Sequence, residues 1–198
     1  MPELELVTLE GAKVRLEPLS LGHLDALCVV GLDPDLWQWI PTPVRDAAGM
    51  RAYVEEALDQ QRQGVSLPFA TLLKGTDQAI GSTRYMNIDL KNRRVEIGST
   101  WIGRPWQRSA VNTEAKYLML RHAFDTLKCI RVELKTDVLN ERSRKAIQRL
   151  GAKEEGILRR HVITSSGRAR DTVYYSILED EWPAVRRDLE KRLAQFGR

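Results

Sequence analysis

Apolar and polar residues change their period several times along the chain, and each change marks an element. After Gly11, Val14 and Leu16 alternate with Arg15 and Glu17 as on an edge strand, and Ser20 stands where it can cap a helix to about Val30. Three prolines between Asp33 and Pro43 predict a loop, in which Trp37 and Trp39 either line a cleft or cover the core. A helix from Asp46 to about Gln63 carries Met50, Tyr53, Val54, Ala57 and Leu58 at helical spacing, and Gly64 ends it. From Leu67 the period is two, giving strands at Leu67–Leu73, Ala79–Met86 and Arg93–Ile102 in an antiparallel meander.

An irregular turn over Gly103–Asn112 leads into a helix whose one face holds Ala115, Leu118, Met119, Ala123 and Leu127. The run Ile130 to Asp137 alternates as a half-buried strand, and a short helix from Glu141 to Leu150 stops at Gly151. Strands at Lys153–Ile163 and Asp171–Leu178 close a hairpin around Thr164–Gly167. From Asp180 the stripe Trp182, Val185, Leu189, Leu193 and Phe196 predicts an amphipathic helix, about 180–196, that packs on the domain or on a partner such as a second copy. The sum is one α+β domain over residues 1–198 with a strand–turn–helix crossover in its middle.

Composition narrows the classes. With 198 residues, 42% of them hydrophobic, the chain can bury a core without disulfide or metal staples. No apolar run approaches the roughly 18 residues of a membrane span. The stretch Ala26–Leu32 is too short for an export signal, and Glu3, Glu5 and Glu10 have the wrong charge for one, so a cytoplasmic protein without a membrane partner is expected. Cys28 and Cys129 stand far apart with no Cys/His cluster, which predicts reduced, buried thiols and no metal site. The net charge of +4 favours an anionic ligand. Nucleic acid is not the expected partner, because the basic face Arg142–Arg149 lacks interleaved aromatics. His23, His122 and His161 are isolated, and the zinc-protease, serine-hydrolase and Walker A patterns are missing.

The candidate chemistry lies in the central turn. From Trp101 and Ile102 the chain runs through Gln107, Arg108, Ser109, Ala110, Val111 and Asn112 to Thr113 at a helix start. Free amides and the positive end of a helix dipole make such a turn an anion site, and Arg104 and Arg108 add charge.

This segment resembles the acyl-CoA motif of the GNAT N-acetyltransferases, Q/R-x-x-G-x-G/A, present here as Gln107-x-x-Ala110-x-Asn112, and Thr113-Glu114-Ala115 matches the RimJ/RimL-like branch. Asn140-x-x-Ser143, with Gly151 following, resembles the family's second motif, and Val95-Glu96-Ile97-Gly98 its fourth strand. The resemblance covers about Val14 to Leu178. It implies a GNAT-like fold, with a mixed, mostly antiparallel sheet flanked by helices and an extra C-terminal helix. It also implies an acetyl-CoA-dependent N-acetyltransferase that acetylates a primary amine, on a peptide or a small molecule, by direct transfer in a ternary complex without metal. The alternative is a module that binds acyl-CoA without turnover.

On this resemblance Trp101, Ile102, residues Gln107 to Thr113, Asn140 and Ser143 bind the co-substrate, while Glu96 and Ser143 are catalytic. Two departures stand out. Ala110 replaces the motif's glycine and Asn112 a small residue, and Ile147 occupies the place where many relatives carry a tyrosine general acid, so Ser143 is the substitute near sulfur. On the residues alone, Glu96 reads as a solvated strand carboxylate and Asn140 as a helix N-cap, and the family position brings the two readings of Glu96 level.

Overall fold

A computed structural model describes residues 1, 5–76 and 78–196 of the chain. Local chemistry sets the element ends. Asp46 accepts the Gly49 amide at 2.7 Å to start α2 (Ala47–Arg62), and Gly64 leaves it at φ +72°. Asn140 caps α4 (Glu141–Arg149) through the Ser143 amide, and Gly151 turns away at φ +95°. The stretch expected to be one helix after Ser20 opens as a 3-10 turn, Leu21–His23, before α1 (Leu24–Gly31). The proline-rich connection contains a further 3-10 turn, Pro34–Leu36, held by Asp33 accepting the Asp35 amide.

The alternating segments form one sheet. Its strands are β1 (Leu9–Glu10), β2 (Val14–Pro18), β3 (Leu67–Leu73), β4 (Gln78–Asp89), β5 (Arg94–Ile102), β6 (Arg131–Asp137), β7 (Lys153–Ile163) and β8 (Ala169–Leu178). Their order is β1-β2-β3-β4-β5-β6-β8-β7. All neighbours are antiparallel except β5 and β6, whose parallel pairing requires the crossover that α3 (Ala110–Arg121) and a π turn at His122–Thr126 supply. That pairing runs only from Arg94/Arg131 to Glu96/Glu133. Beyond it β5 continues beside β4 to Ile102 and β6 continues beside β8 to Asp137, so the sheet parts between them.

Two apolar clusters flank the sheet. Leu16, Phe69, Ile80, Tyr85, Val95, Ile97 and Val132 pack with α3 and with Trp182, Val185 and Leu189 of α5 (Trp182–Gln195). Ala70, Leu72, Ala79 and Trp101 face Leu27 of α1 and Met50, Val54 and Ala57 of α2. The C-terminal stripe therefore packs on its own chain, with Phe196 left exposed. Trp37 belongs to the second cluster and gives its indole N–H to Gly31 O at 2.7 Å, so it covers core, while Trp39 is half-buried. Cys129 is buried as expected, but Cys28 is half-buried, and both are free thiols.

Glu114 joins α3 to the first strands. It is 6% exposed, and its carboxylate accepts the amides of Ala12 at 3.0 Å and of Lys13 and Val14 at 2.7 Å. Gly11 is needed beside it, since a Cβ there would stand 2.6 Å from the Glu114 carboxylate. The Thr-Glu-Ala signature thus has a structural reason: its acid orders the β1–β2 turn and fixes the start of α3.

Candidate active site

Ser109 is the N-cap of α3, its hydroxyl accepting the Val111 amide at 3.3 Å. Ala110, Val111 and Asn112 consequently form the first helical turn instead of the loop expected through Asn112. Asn and Thr are good caps too, which is why the sequence does not decide among these starts. The amides that Ser109 does not take point out along the helix axis, where the dipole is positive. Arg108, in the left-handed region at φ +61°, carries an exposed guanidinium past them. Gln107 braces the turn by donating to Ile102 O at 2.8 Å and accepting from Arg142 of α4 at 2.5 Å. Asn112 Oδ1 is buried without a partner in this first turn.

These features fit the phosphates and amide arm of a CoA. Ala110 is compatible with that fit because it sits in regular helix, where a methyl group causes no backbone strain. The Trp101 ring packs against Trp37 and Tyr53, and Ile102 lies in the α3-side core, which leaves the backbone of both for a co-substrate. Arg104 is held by Asp33 at 2.9 Å and by Asp35, away from the turn.

The parting of β5 and β6 holds the second half of the site. Ser82 pairs with Trp101 and Arg84 with Gly98, so the two residues Ser99 and Thr100 oppose Thr83 in a bulge, with Ser99 at φ +44°. The extra residue resets the alternation. Ile97 and Ile102 both reach the α3-side core, and Trp101 reaches the α1/α2 side. Tyr53 OH contacts Ser99 O at 3.4 Å and marks the α2 side of the bulge.

Glu96 faces away from Val95 and Ile97 as expected, but it is only 1% exposed. Its Oε2 takes both the Asn87 side-chain amide at 2.8 Å and Lys135 Nζ at 2.9 Å. Oε1 has no hydrogen-bond partner among the described residues and lies over Gly98, where a Cβ would come within 3.0 Å of it and 2.8 Å of Met86 Sδ. The carboxylate is thus oriented through one oxygen and available through the other. Burial disfavours the Lys135 ammonium, but the charge and hydrogen bond of Glu96 outweigh this and lift its pKa. An open groove of about 650 Å³, lined in part by Asn87, Asp89, Glu133 and Tyr174, adjoins the pair.

Asn140 serves as the helix cap, its Oδ1 bound to the Ser143 amide at 3.0 Å. The half-buried Ser143 hydroxyl has no partner among the described residues, and Ile147 one turn on is core. Tyr85 lies under α3 and donates to Met119 O at 2.6 Å, so its neighbours Arg84 and Met86 face the cleft side. His161 is exposed and stands edge-on to Tyr174.

Sequence reasoning missed Asn87, Lys135, the bulge and Lys116. The last is a buried amine on α3 that donates to Thr83 Oγ1 at 3.0 Å and to Thr100 Oγ1, bracing the bulge from beneath. Burial lowers its pKa to about 7. Between that value and its ordinary 10.5 the unfolded chain binds the extra proton, so folding stability rises with pH across the window. Urea unfolding should show a gain of up to about 2 kcal/mol from pH 7 to 8.5, lost in Lys116→Met. This range lies below that in which Cys129, pushed up to about 11 by burial, acts in the opposite sense. A flat stability profile in the wild type would refute the shift.

An acetyltransferase (GNAT) domain profile matches residues 13–153, so the chain belongs to the GNAT acetyltransferase family. It is 29% identical over 176 residues to the uncharacterized N-acetyltransferase p20 of Bacillus licheniformis, covering 88% of this chain and 98% of that one. A GCN5-related N-acetyltransferase from Brucella melitensis superposes with TM-score 0.89 at 33% identity, over 97% of this chain and 87% of the other. Mycobacterium smegmatis RimJ, solved in complex with CoA-disulfide, shares the fold with TM-score 0.80 at 23% identity, over 94% and 93% of the two chains. Among the described residues no helix is long and apolar enough to cross a membrane.

Proposed function

We propose that the protein transfers an acetyl group from acetyl-CoA to a primary amine, of a peptide or a small molecule, by direct attack in a ternary complex. The observation that carries this reading is the parting of β5 and β6 with Glu96 Oε1 beside it over the bare Gly98. Bound acetyl-CoA supplies an activated acyl group as its thioester. The start of α3 and Arg108 hold its phosphates, and Asn112 Oδ1 accepts from an amide of its arm. The bulge at Ser99 puts a peptide group outside the strand ladder, where it can polarise a carbonyl.

Glu96 takes the proton of the attacking amine, directly or through water, as the nitrogen–carbon bond forms and the carbon–sulfur bond breaks. The Ser143 hydroxyl donates to the departing thiolate, which then gains a proton from solvent. A thiolate needs only modest help, so Ser143→Ala should lower kcat a few-fold, more than it weakens acetyl-CoA binding. An unchanged kcat, with chemistry rate-limiting, would leave Ser143 a structural residue.

Calorimetry tests the co-substrate site. Wild type should bind acetyl-CoA saturably, and Ser109→Asp should bind it more than about tenfold more weakly, since the aspartate still accepts from the Val111 amide, gives up the donation to Trp106 O and adds charge where phosphate sits. Unchanged affinity in a folded Ser109→Asp would place the co-substrate elsewhere.

A further inference from the structure

Arg84 is a charged residue on the cleft side that the proposed reaction leaves unused. It pairs with Gly98 in the β4–β5 register and faces the α2 side, opposite to Tyr85. The residue is 3% exposed, and its guanidinium lies over the Tyr53 ring with Cζ 4.7 Å from the centroid. Nη1 donates to Gln60 Oε1 at a long 3.4 Å, and Nε is buried with no partner. Among the described residues no carboxylate pairs with it. Nearby arginines each have a carboxylate within ion-pair distance: Arg94 and Arg131 share Glu133, Arg168 pairs with Asp137, and Arg170, whose Nε likewise lacks a hydrogen bond, lies 3.9 Å from Asp137.

A buried guanidinium without a counter-charge costs stability, and its fork of donors, engaged only weakly by Gln60, matches the geometry of a carboxylate. Neighbouring strands stand about 5 Å apart. An amine placed over Gly98 beside Glu96 Oε1 therefore has Arg84 within reach of an acid group one or two carbons away, once the weak contact to Gln60 is exchanged.

We propose that the acceptor carries a carboxylate next to its amine, as a free α-amino acid does, and that Arg84 recognises it. This rests on the acetyl-transfer reading above and names its substrate class. A peptide beginning with Asp or Glu offers the same chemistry.

The test is calorimetry on the CoA-loaded protein, which needs no turnover and so is separable from failure of the catalytic reading. The probes are N-acetyl-L-amino acids, their C-terminal amides, and N-acetylated peptides beginning with Asp or Glu. At least one acid should bind about 30-fold or more tighter than its amide, a charged hydrogen-bonded pair being worth that much. Arg84→Met should erase the difference, Arg84→Lys should retain part of it, and Arg84→Met should melt no lower than wild type. Tight binding by the peptides alone would support the carboxylate and exclude the free amino acid. Acids and amides binding alike, neither binding, or the ratio surviving in Arg84→Met would overturn the proposal. So would a marked loss of stability in Arg84→Met, which would make Arg84 a support for α2.

Discussion

Glu96→Gln should lower kcat for acetyl transfer by about 10²- to 10³-fold and leave acetyl-CoA affinity nearly unchanged, within the range that general base catalysis contributes. The substitution keeps the volume that Gly98 makes room for and removes the basic oxygen over it. It also leaves Lys135, half-buried, without its carboxylate, which by itself costs stability. Glu96→Gln combined with Lys135→Met separates the two effects. Removing both charges should recover the melting temperature and leave kcat low. Recovery of kcat in the double variant would assign Glu96 to structure, and a loss of less than about tenfold in the single variant would count against a base.

Glu114→Ala should destabilise the protein by about 3 kcal/mol or more, because a buried carboxylate with its amide hydrogen bonds is lost. The amides of Ala12, Lys13 and Val14 lose their acceptor together, and the space beside Gly11 empties. Denaturant unfolding measures the loss directly. Affinity for acetyl-CoA should fall with it, since the same contact fixes the start of α3. A change below about 1 kcal/mol would mean that water replaces the carboxylate without cost.

Periodicity made most of the fold legible. The strand limits Leu67–Leu73 and Lys153–Ile163 agree with the alternation, and the positive φ of Gly64 and Gly151 agrees with their reading as helix stops. β1 was not legible because two residues carry no period. The bulge at Ser99 was hidden for a related reason: one inserted residue reverses the alternation, so Trp101 and Ile102 cannot be assigned faces without it.

Within the site, the residues close in sequence were the readable ones. The turn from Gln107 to Thr113 was readable as the approach to a helix, although which residue caps that helix was not, since Ser109, Asn112 and Thr113 all suit the position. Lys135 meets Glu96 only because β5 and β6 pair in one register of several, and Arg84 stands beside Gly98 for the same kind of reason. Lys116 was missed because a lysine between two buried helix neighbours reads as a solvated residue until the hydroxyls of Thr83 and Thr100 are placed beneath it.

The most direct test of the account is a turnover screen with acetyl-CoA against peptides with free N-termini, amino acids, polyamines and aminoglycosides, following CoA thiol release and acceptor mass together. The predicted result is thiol release matched by one acetyl group gained on an amine, suppressed in Glu96→Gln and needing higher acetyl-CoA in Ser109→Asp. Saturable acetyl-CoA binding with no acetylated acceptor anywhere in the panel would contradict it and leave a domain that holds acyl-CoA without transferring it.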